Sequence, residues 1–151
     1  MLGTSIHTRS ILNSTIQSLK SVIPLKMNVL SPSILPQPFE QKEMSVLIGI
    51  IGDIKGRMIL DASSDCFAAI GSNLFGVQLT GEMLESFTGE LGNMIAGNLC
   101  TLVGTNNLEI DITPPTVIVG TSKLFGFRRA FKLPVEILEI GELTVILTID
   151  E

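Results

Sequence analysis

Between Gly81 and about Leu102 the chain repeats apolar residues at helical spacing, and this pattern restricts the fold more than any other stretch. At roughly 100° per residue, Leu84, Phe87, Leu91, Met94, Ile95 and Leu102 collect on one face, which must point at a core. A neighbouring strip carries Ser86, Glu90, Asn93 and Gly97, spaced so that their side chains stack along one side of the helix. A third strip, Gly89, Gly92 and Ala96, has almost no side chain at all. Each glycine costs a helix roughly 1 kcal/mol against alanine. Gly89, Gly92 and Gly97 therefore oppose the helix that the apolar stripe demands. Two explanations fit: close packing against another element of the same chain, or a face kept bare so that another protein's backbone can approach. A Glu and an Asn presented beside the bare strip favour the second.

The flanking sequence supplies a sheet and two more helices. Ser5 to about Ile23 places Ile6, Ile11, Leu12, Ile16, Leu19 and Ile23 on one helical face, and Pro24 ends that helix. Met27 to Leu30 reads as a short strand, and Pro32, Pro36 and Pro38 mark a loop or an irregular edge up to Gln41. Ser45–Ile51 and Arg57–Ala62 read as paired strands around a Gly52–Gly56 turn, whose Asp53 and Lys55 are solvated turn residues. Ser63, Ser64 and Asp65 offer N-caps for a second helix over Cys66–Phe75, closed by Gly76. Thr80 caps the long helix, with Met83 and Leu84 as its first apolar positions.

The last third is β. Leu108–Thr113 and Thr116–Val119 are strands interrupted by Pro114-Pro115. Thr121 to Arg129 reads as a loop with Lys123, Arg128, Arg129, Phe125 and Phe127: either a solvated loop with aromatic anchors or a basic contact surface. Ala130–Ile140 and Leu143–Ile149 form a final hairpin around Gly141-Glu142. Strands that come in hairpins predict an α+β fold, a mainly antiparallel sheet with long helices packed on one face.

Composition narrows the function classes. A chain of 151 residues, 45% hydrophobic and 17% charged, suits a single folded domain with a sizeable core. Its net charge of −5 gives nucleic acid no electrostatic footprint. Cys66 and Cys100 sit in apolar helical patterns and read as buried free thiols, and His7 is the only histidine, so no metal site is expected. No apolar run approaches the roughly 18 residues of a membrane span. No signal peptide is indicated either, and a cytoplasmic setting follows.

The usual catalytic constellations find little support. A Ser or Cys nucleophile lacks a nearby histidine. No phosphate-binding Gly-Lys-Ser/Thr loop or dinucleotide glycine fingerprint is present. Glu90 and Asn93 remain, three apart on one helical face. A carboxamide accepts and donates hydrogen bonds at once. It can hold a water in line with a phosphorus atom, as a Gln does in small GTPases. A glutamate one turn away can bind a lysine. As an isolated pair, these two residues also fit a plain solvated face.

Ser86-x-x-x-Glu90-x-x-Asn93, followed by Pro114-Pro115, resembles the signature of the CheC/CheX/FliY phosphatases of bacterial chemotaxis. The Gly49–Gly56 hairpin, the Glu90–Asn98 segment and the Pro115–Gly120 strand resemble CheX in the same order. The resemblance implies a CheC/CheX-like fold and hydrolysis of the aspartyl phosphate of a CheY-type response regulator. Carried onto this chain, Asn93 orients the attacking water and Glu90 pairs with the regulator's active-site lysine. Ser86 and Pro115 hold the outer positions of the signature, and Gly89, Gly92 and Ala96 keep the helix edge thin for contact. No cofactor is bound by this chain, and Mg²⁺ comes with the phosphorylated regulator. A single motif implies a CheX-like homodimer, with the C-terminal strands as a pairing edge. The alternatives are a non-catalytic adaptor, like a flagellar-switch module that binds a receiver domain, and a structural dimerisation module.

Overall fold

The structure, a computed structural model, describes residues 6–35, 39–41, 43–124, 126–127 and 129–150. The first helix, α1 (Ile6–Val22), stops just before Pro24. It buries Ile11, Leu12 and Leu19, with Ile23 buried just past its end. Ser5 and the side chain of Ile6 lie outside the described residues. The Ser18 hydroxyl donates to the Ile95 carbonyl oxygen at 2.6 Å. That bond fastens α1 to the long helix and satisfies a hydroxyl that burial would otherwise leave costly.

Strands β1 (Met27–Val29), β2 (Ser33–Ile34), β3 (Phe39–Gln41), β4 (Met44–Gly52) and β5 (Lys55–Ala62) precede helices α2 (Ser64–Phe75) and α3 (Gly81–Gly104). β6 (Ile110–Ile112), β7 (Thr116–Val119), β8 (Ser122–Leu124), β9 (Ala130–Ile137) and β10 (Gly141–Asp150) complete the chain. One eight-stranded antiparallel sheet runs β1-β9-β10-β5-β4-β6, with β2 also on β9 and β7 also on β4. The α+β architecture expected from the hairpin pattern is present.

Strand alternation divides the sheet into two faces. Val46, Ile48, Met58, Leu60, Leu133, Val135, Val145 and Leu147 meet all three helices in the main core. Ile59, Ala130 and Ile146 point the other way, against Phe39 and Phe127. That second cluster lies with a small β3–β8 sheet, in which Glu40 faces Lys123 in register. The stretch after Thr121 is therefore partly strand, and Phe127 is a core anchor; Phe125 and Arg128 lie outside the described residues, as do Pro36 and Pro38.

Two expectations about the C-terminal strands are corrected. The turn between them is Leu138–Ile140, with Glu139 at φ 68°, and Gly141 already belongs to β10. Neither strand is an edge: β10 lies between β9 and β5, and β9 between β10 and β1–β2. The turn at Gly52 is also tighter than expected. There the Asp53 carboxylate accepts from the Glu109 amide at 2.7 Å, so Asp53 ties β4 to the approach of β6 as well as solvating a turn.

Local sequence explains the helix ends. The Ser63 hydroxyl accepts from the Cys66 amide at 3.1 Å at the start of α2. Gly76 closes α2 in the left-handed conformation, φ 70°, its amide donating to the Ser72 carbonyl. Thr80 occupies the N-cap of α3 without a side-chain cap bond.

The small-residue strip of α3 faces the sheet, which corrects the expectation that it is an edge left bare for a partner. Gly89, Gly92 and Ala96 are all buried. A Cβ on Gly92 would meet both methyls of Val46 at 2.8 and 2.9 Å, and one on Gly89 would meet Val117 at 3.3 Å. The glycines let the helix axis approach β4 and β7. Gly97 differs, for no atom outside its own helix lies within 4 Å of its Cβ position. Gly92→Ala is expected to destabilise the chain by about 1–2 kcal/mol, because overpacking outweighs the gain in helix propensity. Gly97→Ala is expected to stabilise it by about 1 kcal/mol. Urea midpoints of the two variants check both signs, and equal shifts would sink the packing account.

Candidate active site

Burying the glycine strip and the leucine–isoleucine stripe of α3 fixes what its remaining arc presents. Ser86 and Glu90 are exposed, while Asn93 and Gly97 are partly so. The sequence-predicted pair thus lies on one outward strip of a helix whose back is locked in the core. Neither the Glu90 carboxylate nor the Asn93 carboxamide has a hydrogen-bond or ion-pair partner among the described residues.

Pro115 joins the strip from the other side. Its Cγ lies 3.9 Å from the Cβ position of Gly89, so the start of β7 rests beside the turn that carries Glu90. Ser86, Glu90 and Asn93 share the outward strip, with Pro115 beside the Gly89 turn; Gly89, Gly92 and Ala96 face the sheet as packing. Of the α3 positions read as core, Met94 and Leu102 are only half-buried, and Met83, read as one of the helix's first apolar positions, faces outward. It is 63% exposed, two helical turns before Glu90 and on the same face. The signal was present in the sequence, since seven residues is close to two full turns.

The electrostatics give little scope for nucleophilic chemistry. Burial pushes the Cys66 thiol up to about 11. Burial, and then the Asp111 carboxylate, raise Cys100. Raised thiols are weak nucleophiles at neutral pH. Hydrogen bonds from Ser64, at the start of α2, hold the Glu43 carboxyl below its ordinary value, away from the α3 strip. Among the described residues, no three His, Cys, Asp or Glu side chains gather in a way that could hold a metal ion. No helix among them is long and apolar enough to cross a membrane.

Residues 44–127 match the family model described as chemotaxis phosphatase CheX. The chain belongs to the CheX family. The "CheY-P phosphatase CheX" of Thermotoga maritima is 30% identical over 132 residues, spanning 85% of each chain. CheX from Desulfovibrio desulfuricans superposes with a TM-score of 0.79 at 18% identity, covering 94% of this chain and 97% of that one. CheX in a CheX–CheY–BeF₃–Mg²⁺ complex from Borrelia burgdorferi gives 0.78 at 23% identity, covering 95% and 97%. The CheC/CheX-like fold expected from the motif is thereby established, and α3, with its exposed strip, falls within the segment that defines the family.

The buried thiol of this CheX-family chain has a measurable consequence. A folded-state thiol raised above its unfolded value contributes stability that is complete below roughly pH 8.5 and is lost as pH climbs towards 11. The chain has no tyrosine, but the Cys100 thiol is raised as well, so the substitution is what isolates the Cys66 contribution. Urea midpoints are expected to fall between about pH 9 and 11, and Cys66→Ala to flatten the fall. A slope unchanged by the substitution would show that Cys66 is not its source.

Proposed function

We propose that this chain hydrolyses the aspartyl phosphate of a CheY-type response regulator, with Asn93 orienting the attacking water and Glu90 pairing with the regulator's active-site lysine. The observation that carries the reading is the pair itself. Glu90 and Asn93 stand one turn apart on an outward strip, without partners among the described residues, in a member of the CheX family. The Thermotoga relative's description as a CheY-P phosphatase supports the substrate class.

The chemistry asks little of the phosphatase. The water oxygen bonds to phosphorus as the bond from phosphorus to the regulator's aspartate oxygen breaks, leaving a free carboxylate and inorganic phosphate. Positioning and electrostatics supply most of the rate in phosphoryl transfer. The Asn93 carbonyl accepts from the water and its NH₂ donates to a phosphoryl oxygen, which sets the angle of attack. The Glu90 carboxylate takes a charge-assisted hydrogen bond from the regulator's lysine and fixes the two proteins in register. Mg²⁺ is held by the regulator and neutralises phosphoryl charge there. Ser86 and Pro115 flank the pair, and the open space over Gly97 leaves room for the regulator's backbone.

The reading includes a homodimer and a cytoplasmic setting. With β9 and β10 inside the main sheet, strand pairing through that sheet falls to β1–β2 or to β6–β7, each with one partner strand among the described residues.

Phosphate release from a phosphorylated CheY-type receiver with Mg²⁺ tests the assignment. Asn93→Ala is expected to lower kcat on the order of 100-fold with binding retained. Glu90→Ala is expected to lower kcat/KM about 10- to 100-fold, the scale of one charged hydrogen bond. Binding of the phosphorylated receiver without faster decay would make the chain an adaptor instead.

A further inference from the structure

We infer that the apolar groove beside Glu90 is the docking surface for the receiver domain, and that it seats apolar side chains lying next to the receiver's active-site lysine. The identity of the partner rests on the phosphatase reading above; the surface itself rests on the following geometry.

The groove has a volume of about 640 Å³ and runs between the end of α2, the α2–α3 connection and the first half of α3. Met83 and Phe75, 63% and 59% exposed, line it, as does Val77 at 50%. Val119 on β7 is nearly as exposed as Phe75, but it does not line the groove, whereas Phe75, Val77 and Met83 line it together. Met94 extends this floor along α3. Apolar side chains gathered around one groove beside unpartnered polar groups suit a contact surface.

The patch is also held in place. The Phe75 ring stands edge-on to the buried Phe87 ring, with centroids 5.7 Å apart. Gly76 turns the chain immediately after it, and Leu79 anchors the far end of the connection in the core. A Cβ on Gly71 would collide with Leu79, so α2 and the connection are in direct contact. Val77 is presented between two fixed points, and little order has to be created on binding.

Charge selects the occupant. Glu82 and Glu90 line the groove, and no Lys, Arg or His does. A partner that brings a cation beside apolar groups is complementary to that arrangement. A second copy of this chain is not. A two-fold contact through the same patch would bring Glu82 and Glu90 towards their own counterparts. Ser86 and Glu90 belong both to the groove and to the strip bearing Asn93, so one partner covers both without a gap.

Met83→Glu and Val77→Glu alter exposed side chains, with Met83→Leu as the conservative control. Two quantities are read for each: the Kd for a CheY-type receiver activated with beryllofluoride and Mg²⁺, and kcat and KM for loss of receiver phosphate. The glutamate variants are expected to raise Kd and KM about tenfold or more, the scale of a hot-spot loss, with kcat near wild type. Met83→Leu should stay close to wild type. Asn93→Ala should show the reverse pattern, losing kcat and keeping Kd. Glutamate variants that bind as tightly as wild type would overturn the docking surface while leaving the phosphatase reading intact. Wild type that binds without hydrolysis, and is weakened by the glutamates, would support the docking surface and overturn the phosphatase reading. If the glutamates lower the mass in solution from two chains to one and leave Kd unchanged, the groove belongs to a second copy and the inference fails.

Discussion

The contact on which the site depends is the seating of α3 on β4, where Gly92 lies against Val46 and Ile48. Any side chain at this position would lift the helix or force the valine aside. With Gly89 close to Val117 and Ala96 fully buried, the helix has one rotational setting about its axis. Leu91, Ile95 and Leu99, all fully buried, hold that setting from the other side. What remains outward is a narrow arc, and Ser86, Glu90, Asn93 and Gly97 occupy it. Turning α3 by one residue's worth of rotation would carry Asn93 towards the sheet. The helix propensity lost at Gly92 is thus offset by close packing, and the direction of Asn93 follows from that packing.

Two further close approaches frame the arc. On one side β7 comes within van der Waals reach of Gly89 and lays Pro115 beside the Glu90 turn. On the other, Gly71 lets Leu79 and Phe87 settle against α2, which places Phe75, Val77 and Met83 next to Ser86. These boundaries come from different parts of the chain, 26 residues apart from Gly89 to Pro115 and 16 from Gly71 to Phe87. The site is therefore a product of tertiary packing built around a motif that is local in sequence.

That division explains what could be read before the structure. The periodicity of Leu84–Leu102, the Ser63 cap and the Gly76 stop are local signals, and each names its element correctly. The direction of the glycine strip was not legible. A helical wheel tells which residues share a face but not what lies opposite, and Gly92 looks the same whether it meets Val46 or a partner. The β3–β8 sheet was missed because three-residue strands carry no measurable alternation. The last turn was misplaced because Gly141-Glu142 imitates a two-residue hairpin loop, whereas the residue with positive φ before β10 is Glu139. Burial of β9 and β10 inside the sheet depends on pairings with β1 and β5 that neither strand announces.

The candidate site also has an unusual shape for an enzyme, and the proposed chemistry accounts for it. A roomier groove, 940 Å³ between α1 and the turn after α3, contains neither Glu90 nor Asn93. Enzymes that act on small molecules bury them in a cavity, because the cavity must supply the binding energy and exclude water. A phosphatase whose phosphoryl group, cation and lysine all arrive on a folded protein needs no cavity of its own. It needs a convex element that fits the partner's cleft, rigid enough to hold one amide in line with phosphorus. A helix locked to a sheet by glycine contacts, with Glu90 and Asn93 unpartnered among the described residues, meets that requirement. On the proposed function, binding energy has to come from surface beside the Glu90–Asn93 strip, and the groove floored by Phe75, Val77 and Met83 is apolar area adjoining it.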